Sequence, residues 1–240
     1  MNTSLRNPPL DHPYAGRAHR VYVALTNHCN RACPWCSTYS SPARGTWITW
    51  AQLQASLPVA GNFDVQLEGG EPTLHPEFWD FIARLRGNPR CGCLVLCTNG
   101  VALPRHAGKL HDWLARLGAP LIIKLSINQY LMDHDPGLLQ LAAGVQSAIQ
   151  TLGGEREVIY NVRLRRGYDG DDRAVIDAVH EAGLMPRANV FYLQRYGLAS
   201  NEAAWDAPHL AGENFRLVNP DGRVFGPDLI ARSEYMGGLA

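Results

Sequence analysis

Apolar and polar positions along the chain follow two periods in turn, so that short β-branched runs are separated by stretches of helical spacing. Six runs predict strands, at residues 20–26, 64–70, 93–100, 121–128, 158–167 and 188–197. Five stretches between them predict helices, at residues 47–60, 75–87, 105–118, 137–154 and 171–184, and Thr49 is suited to cap the first. This alternation indicates an α/β fold with a parallel sheet and right-handed crossovers.

The predicted strands also differ in the chemistry of their two faces. Successive side chains of a strand point to opposite sides of its sheet, and three of the strands carry polar residues on one side. These residues are Gln66 and Glu68 on the second strand, Lys124, Ser126 and Asn128 on the fourth, and Asn161, Arg163 and Arg165 on the fifth. Because helices would cover the apolar sides, we expect the polar residues to line a barrel interior. Their exposure on an open sheet is the alternative.

The C-terminal part departs from this alternation. Residues 215–226 predict a hairpin around Asp221 and Gly222. We therefore divide the chain into an N-terminal arm at 1–19, an α/β unit at 20–197 and a C-terminal extension at 198–240.

Composition and charge exclude several classes of function. The 240 residues include 22 basic and 22 acidic side chains, and this balance argues against a protein dedicated to nucleic acid or to an anionic membrane. No apolar run approaches the roughly 20 residues of a membrane span, and the polar first residues do not resemble a secretory signal. We expect a cytoplasmic protein, in which clustered cysteines are metal ligands or reactive thiols before they are disulfides.

One cluster of this kind follows the first predicted strand. Cys29, Cys33 and Cys36 have the spacing C-x3-C-x2-C, and three thiolates leave one coordination position open for a substrate or cofactor. Arg31 could screen the thiolate charge. Zinc with His28 as a fourth ligand is an alternative, although His28 directly precedes Cys29 and is awkwardly placed to share its metal. A non-catalytic iron-sulfur or zinc-binding protein is therefore a second hypothesis.

The cysteine loop, with Trp35 before its last cysteine, resembles that of the radical S-adenosylmethionine (SAM) enzymes. Further segments resemble the same family in the right order along the chain, at the ends of the predicted strands: GGEP at 69–72, TNG at 98–100, KLSIN at 124–128 and LQRYG at 193–197. The pattern is most similar to the molybdenum-cofactor and peptide-maturase (SPASM-type) branches. The resemblance implies a partial (β/α)6 TIM-type barrel, here with a short C-terminal β-hairpin extension.

The resemblance also implies cofactors and their ligands. Cys29, Cys33 and Cys36 would hold one 4Fe-4S cluster, which cleaves SAM reductively to methionine and a 5′-deoxyadenosyl radical that abstracts hydrogen from the substrate. An electron donor such as flavodoxin or ferredoxin would supply the electron. The expected SAM contacts are Gly69, Gly70, Glu71, Pro72, Asn99, Ser126, Asn128 and Arg163. The glycines would let the backbone approach the methionyl group, and Glu71 would meet its amino group.

The chain departs from the family in two places. Asn128 stands where relatives usually carry an acidic residue, and residues 98–240 contain no cysteine, whereas many relatives bind auxiliary clusters through C-terminal cysteines. We therefore expect a single cluster. Of the remaining cysteines, Cys91 and Cys93 are expected in the core, and Cys97 is either a core residue or a hydrogen donor to a substrate radical.

The polar interior predicts the substrate. Gln66, Glu68, Lys124, Asn161 and Arg165 favour a small polar or anionic metabolite, or a short peptide, in a biosynthetic tailoring reaction of an oxidoreductase or lyase. A glycyl-radical-activating enzyme, whose substrate is a protein, is the alternative within the family.

Overall fold

A computed structural model describes residues 19–206 and 215–239 of the chain. In it seven parallel strands form one sheet, in the order β6-β5-β4-β3-β2-β1-β7. The strands are β1 (His19–Thr26), β2 (Phe63–Gly69), β3 (Cys91–Thr98), β4 (Leu121–Ile127), β5 (Arg156–Leu164), β6 (Ala188–Tyr192) and β7 (Phe215–Val218). Strands β6 and β7 are the two edges of this sheet, so the barrel is open, and the expected partial TIM-type barrel is confirmed.

Six helices of the described residues lie in the crossovers between the strands, and a seventh follows β7. They are α1 (Trp50–Ser56), α2 (Phe78–Arg86), α3 (Ala107–Arg116), α4 (Gln129–His134), α5 (Leu138–Leu152), α6 (Asp169–Glu181) and α7 (Leu229–Gly237), with short 3-10 turns at Pro72–Leu74, Met185–Arg187 and Gly197–Ala199. Thr49 caps α1 as predicted, because its side chain accepts from the Gln52 amide while the Gln52 side chain accepts from the Thr49 amide. The short helices α4 and α7 were not predicted. No helix in the described ranges has the length and apolarity to cross a membrane.

The main core lies between the sheet and the helices. Leu94 and Leu96 of β3 are buried on this outer side, together with Phe81 of α2 and Leu114 of α3. Full burial of each such side chain contributes about 1.5–3 kcal/mol. The alternate residues point inward, where Cys93, Val95 and Ile122 form a small apolar cluster with Ile159. The lower part of the interior therefore contains this apolar cluster and an ion pair, in which Arg20 donates to the buried Asp64 at 3.3 Å.

The tail forms the predicted hairpin around Asp221 and Gly222, and it also adds a strand to the sheet. β7 pairs in parallel with β1, with Arg20 opposite Phe215 and Val23 opposite Val218. The return after Asp221 pairs antiparallel with β7, through a bridge between Val218 and Val224 and a hydrogen bond of 2.9 Å from the Phe225 amide to the Leu217 carbonyl oxygen. The first strand of this hairpin also pairs with the edge of β1 and so becomes the seventh strand of the sheet. The predicted N-terminal arm, residues 207–214 of the extension and residue 240 lie outside the described residues.

Helix α7 is fixed to the loop that carries the cysteines. The guanidinium of Arg44 donates to the carbonyl oxygens of Gly237 and Leu239. The Ser233 hydroxyl donates to the Ser37 carbonyl at 2.7 Å. The extension therefore forms one wall beside the cysteine loop.

Candidate functional site

A cavity of about 350 Å³ lies inside the barrel toward the carboxyl ends of its strands. Its lining combines the cysteine loop, the loops after β2 and β3, inward-facing strand residues, and side chains of α7. The inward residues are Tyr22, Gln66, Glu68, Cys97, Lys124, Ser126, Asn161 and Arg163. The sequence predicted that polar strand residues line the interior. This is confirmed for Gln66, Glu68, Lys124, Ser126, Asn161 and Arg163.

All three cysteines of the loop line this cavity. Hydrogen bonds from the Cys29 amide to the Ser41 carbonyl and from the Cys36 amide to the Cys33 carbonyl, both 3.1 Å, give the loop its turns. Burial raises the pKa of Cys29 and of Cys33 to about 12, so without a metal their thiols are protonated at neutral pH. A metal centre here would have to displace these protons.

The donor set fits an iron-sulfur cluster. The Asn99 side-chain amide lies 3.5 Å from the Cys29 sulfur, and the Ser40 amide donates to the Cys36 sulfur at 3.4 Å. Such hydrogen bonds to sulfur stabilise the thiolates and tune a cluster. Within the described ranges, no three His, Cys, Asp or Glu side chains converge on one metal-ion position. A four-iron cluster does not need such convergence, because each thiolate binds a different iron.

His28, the conceivable zinc ligand, makes other contacts. Its Nδ1 lies 2.9 Å from the Arg44 carbonyl oxygen, and its ring packs against Trp47. The imidazole thus stabilises the return of the cysteine loop.

Gly69 and Gly70 are required by the protein's own backbone. A Cβ on Gly69, whose φ is 126°, would lie 2.3 Å from the Thr26 carbonyl oxygen, and one on Gly70 would lie 2.0 Å from the His28 carbonyl oxygen. The Gly70 amide donates to the Thr26 carbonyl oxygen at 2.7 Å, where the segment after β2 crosses the end of β1. Both glycines also line the cavity, but the space that they leave is taken by the start of the cysteine loop. The expected reason, close approach to a ligand, is not what the contacts show.

Glu71 is turned away from the cavity and fully buried. Its carboxylate accepts from the Thr73 and Thr98 hydroxyls, at 2.6 and 2.8 Å, and from the Asn99 amide at 2.8 Å. Burial raises the pKa of this carboxyl, although these hydrogen bonds oppose the shift. Pro72 is buried beside it at the start of a 3-10 turn. These contacts give Glu71 a role in holding the end of β3, and its expected contact with the amino group of SAM stays a prediction.

Four other expected contacts of SAM line the cavity. Asn99 donates to the Asn30 side chain at 2.8 Å as well as toward Cys29. Asn128 is buried, and its side-chain oxygen caps α4 by accepting from the Leu131 amide at 2.9 Å. Ser126 and Arg163 face the interior from β4 and β5, and Arg163 lies over the Phe191 ring with its Nε unpaired within the described residues. The strand ends thus present polar groups from three sides.

A chain of polar side chains crosses the cavity floor. The Lys124 ammonium donates to the Gln66 side-chain oxygen at 2.9 Å, and the Gln66 amide donates to Glu68 at 2.6 Å. The other Glu68 oxygen accepts from Arg232 of α7, also at 2.6 Å. Asn161 lies nearby on β5 and accepts from Asn189.

Arg165 does not join this group. Strand β5 ends at Leu164, so the alternation that would turn residue 165 inward has stopped. The Arg165 guanidinium instead pairs with Asp171 at 2.7 Å and covers the Trp35 ring at 5.0 Å. It reaches the site only through Trp35, which lines the cavity.

Sequence reasoning missed several lining residues: Tyr22 on β1, Tyr196 after β6, and Leu229, Arg232 and Ser233 on α7. Tyr22 could have been found, because it alternates with the buried Val21 and Val23. The residues of α7 could not, since the helix was not recognised.

The three remaining cysteines have different environments. Cys93 is fully buried in the apolar part of the interior, as expected for a core residue, and Cys91 packs partly buried against the main core. Cys97 lines the cavity beside Lys124. Burial raises the pKa of Cys97 to about 12, which keeps it in the thiol form.

The protein is an open parallel α/β barrel. Its three-cysteine loop and the carboxyl ends of its strands line one polar cavity. Residues 23–193 match the family model of the radical SAM superfamily. The chain therefore belongs to this superfamily and is an enzyme of the radical SAM class. Membership implies a 4Fe-4S cluster, SAM, a substrate and a reductant.

The curated relatives agree with the predicted branch. The chain is 30% identical over 168 residues to a GTP 3′,8-cyclase of Paenarthrobacter nicotinovorans (64% of this chain, 45% of the relative). It is 24% identical over 165 residues to the GTP 3′,8-cyclase of Shewanella denitrificans (66% and 48%). It is 27% identical over 165 residues to the mouse molybdenum cofactor biosynthesis protein 1 (65% and 26%). The chain spans about half or less of these relatives.

The fold has a relative among solved structures. SuiB of Streptococcus suis, bound to its precursor peptide SuiA, aligns with a TM-score of 0.56 at 10% identity, over 90% of this chain and 60% of that chain. At this identity the likeness concerns the fold alone.

Proposed function

We propose that this enzyme binds one 4Fe-4S cluster through Cys29, Cys33 and Cys36, and that it acts on a small anionic metabolite in the cavity below. The observation that carries the proposal is that all three thiols line the same cavity as the polar floor. When bound, the cluster and SAM supply a 5′-deoxyadenosyl radical by reductive cleavage, with a flavodoxin or ferredoxin as the electron donor. Residues 98–240 contain no cysteine that could bind a second cluster.

The chain's own residues would position SAM at the strand ends. One side of the cavity, next to Cys29, is formed by Asn99 and the backbone of Gly69 and Gly70. Glu71 fixes Asn99 by accepting from its backbone amide. Arg163 has an unpaired Nε within the described residues and is our candidate for the SAM carboxylate, which a guanidinium binds well. Ser126 and Asn128 would meet SAM from β4.

The floor favours a small anionic substrate. Lys124, Arg163 and Arg232 face the interior together with a single carboxylate, Glu68. The relatives named above are cyclases of a nucleotide, so GTP or a similar nucleotide is the second candidate substrate. Both observations favour a small molecule over the protein substrate of a glycyl-radical-activating enzyme, and they leave a short peptide as the weaker candidate.

We propose Cys97 as a candidate hydrogen donor to a substrate radical. Its thiol lines the cavity, and burial keeps it protonated. Homolysis of its S–H bond would give one hydrogen atom to a carbon radical of the substrate and leave a thiyl radical. One electron from the external donor and one proton from solvent would restore the thiol. If the product formed in deuterated water carries no deuterium at the reacting carbon, this role is excluded.

The test of the proposed function begins with anaerobic reconstitution with iron and sulfide. Incubation with SAM and dithionite should release 5′-deoxyadenosine, measured by mass spectrometry, alone or once GTP or another anionic metabolite is added. Cys33→Ala should abolish the release, whereas Cys91→Ala, which removes a cysteine outside the cavity, should retain it. A protein that binds zinc and stays colourless, or release that persists in Cys33→Ala, would contradict the proposal.

A further inference from the structure

The charged side chains that line the cavity are unbalanced. Within the described ranges four of them are cationic, Arg31, Lys124, Arg163 and Arg232, and one is a carboxylate, Glu68. Arg31 lies at the cysteine loop and donates to the carbonyl oxygens of Asn30 and His134. The floor therefore holds three cations and one anion, a surplus of two positive charges. Buried charges without a partner are costly, so such a surplus favours binding of an anion.

Arg232 is the most buried of these cations, with 3% of its surface exposed. Its Nε donates to the Asn219 side chain at 3.0 Å, and its Nη1 donates to Glu68 at 2.6 Å. Its Nη2 is buried and has no hydrogen-bond partner among the described residues. Asn219 and Glu68 thus hold the guanidinium in place, and its Nη2 is left to bind a ligand.

Lys124 approaches from the opposite side of the floor. Its ammonium donates to Gln66, a neutral acceptor that does not compensate its charge. Both oxygens of Glu68 are occupied, one by Gln66 and the other by Arg232. Burial lowers the pKa of Lys124, although the nearby charge of Glu68 opposes the shift. A bound anion would restore its preference for the charged form.

We propose that Lys124 and Arg232 form a binding subsite for a phosphate group of the substrate, and that Gln66 and Glu68 hold the two cations in position. A phosphate anion offsets the positive charge that Lys124 and Arg232 retain beside Glu68, and it accepts hydrogen bonds from an ammonium and a guanidinium together. SAM does not remove the surplus, because its sulfonium and amino groups outweigh its carboxylate. The proposal rests on the proposed function in one respect: the cavity is taken as the substrate site.

The experiment measures phosphate binding directly. Inorganic phosphate is titrated into the protein as purified, and into the reconstituted protein with SAM, by calorimetry at constant ionic strength. Binding should be saturable, and Lys124→Met and Arg232→Met should each weaken it roughly tenfold or more. The matched controls Lys109→Met and Arg116→Met remove exposed cations of α3 and should bind phosphate as the parent protein does.

Glu68→Gln separates anion binding from a purely structural role. Glutamine keeps a side-chain oxygen that can accept from Arg232 and hold it in position, but it removes the negative charge of Glu68, so phosphate should bind about threefold to tenfold more tightly. A merely structural role for the Arg232 pair predicts no gain in affinity. Three outcomes would each overturn the proposal. They are a lack of saturable phosphate binding to the parent protein, unchanged binding in Lys124→Met and Glu68→Gln, and tighter binding of malonate than of phosphate. Because SAM cleavage is not measured, failure here is distinct from failure of the proposed function.

Discussion

Gly197 connects the end of the barrel to the cysteine loop, and Gly197→Ala tests how far the loop depends on that contact. The residue has a φ of 66°, and a Cβ added to it would lie 2.4 Å from the Cys36 carbonyl oxygen and 2.6 Å from the Ser37 Cα. Hydrogen bonds of 3.0 Å join the Leu198 amide to Cys36 and the Tyr39 hydroxyl to the Gly197 carbonyl. The methyl group can be accommodated only if backbone moves.

The expected loss of stability has two parts. Left-handed backbone costs alanine about 1–2 kcal/mol. Forcing a methyl group into occupied space costs about 1–3 kcal/mol more. Gly183 provides the matched control, because its φ is 70° and nothing lies within 4 Å of its added Cβ. Gly183→Ala should therefore lose only the first part, and the difference between the variants measures the contact with the cysteine loop.

Urea unfolding of the metal-free variants gives the two free energies of unfolding, and iron and sulfide content after reconstitution reports on the site. We expect Gly197→Ala to be less stable than Gly183→Ala by about 1–3 kcal/mol and to retain much less iron. If the two variants were equally stable and bound equal iron, the packing of Gly197 against Cys36 would not be what positions the loop.

Two further substitutions address buried polar groups. Glu71→Gln turns an amide group toward hydrogen-bond donors that include the Asn99 backbone amide. The variant should therefore lose about 1–3 kcal/mol of the free energy of unfolding, measured in urea, and bind SAM more weakly in calorimetry. The exposed control Glu181→Gln should change neither quantity. An unaltered Glu71→Gln would show that the carboxylate does not organise β3. Burial lowers the pKa of His75 in the folded protein. In the unfolded chain the pKa of His75 is about 6.5, so the unfolded chain takes up a proton at a higher pH than the folded protein does. The free energy of unfolding therefore decreases as the pH falls through this value, by at most about 1.4 kcal/mol per pH unit. His75→Gln should flatten this slope between about pH 7.5 and 5.5 in urea unfolding, and exposed His106→Gln should not; an unchanged slope in His75→Gln would contradict the assignment.

Alternation along the strands predicted much of the cavity because it needs no knowledge of distant residues. Gln66, Glu68 and Lys124 lie within regular strands, where every second side chain must face the interior. The same rule was wrong for Arg165, since β5 ends one residue earlier. A pattern of residue types does not show where the extended backbone stops.

Motif reasoning does not show which residues become neighbours of a motif in the fold. The glycines of GGEP were expected to give room to a ligand, yet the groups closest to an added Cβ are carbonyl oxygens of Thr26 and His28. Arg232 was missed for a related reason, because its partner Glu68 is 164 positions earlier in the chain. Contacts between segments so far apart leave no periodic signal in either one.

These long-range contacts connect the two halves of the site through neighbouring residues of α7. Arg232 binds the floor at Glu68, and Ser233 binds the cysteine loop at the Ser37 carbonyl. The helix that the sequence pattern did not reveal therefore supports both the cavity floor and the cysteine loop on one backbone.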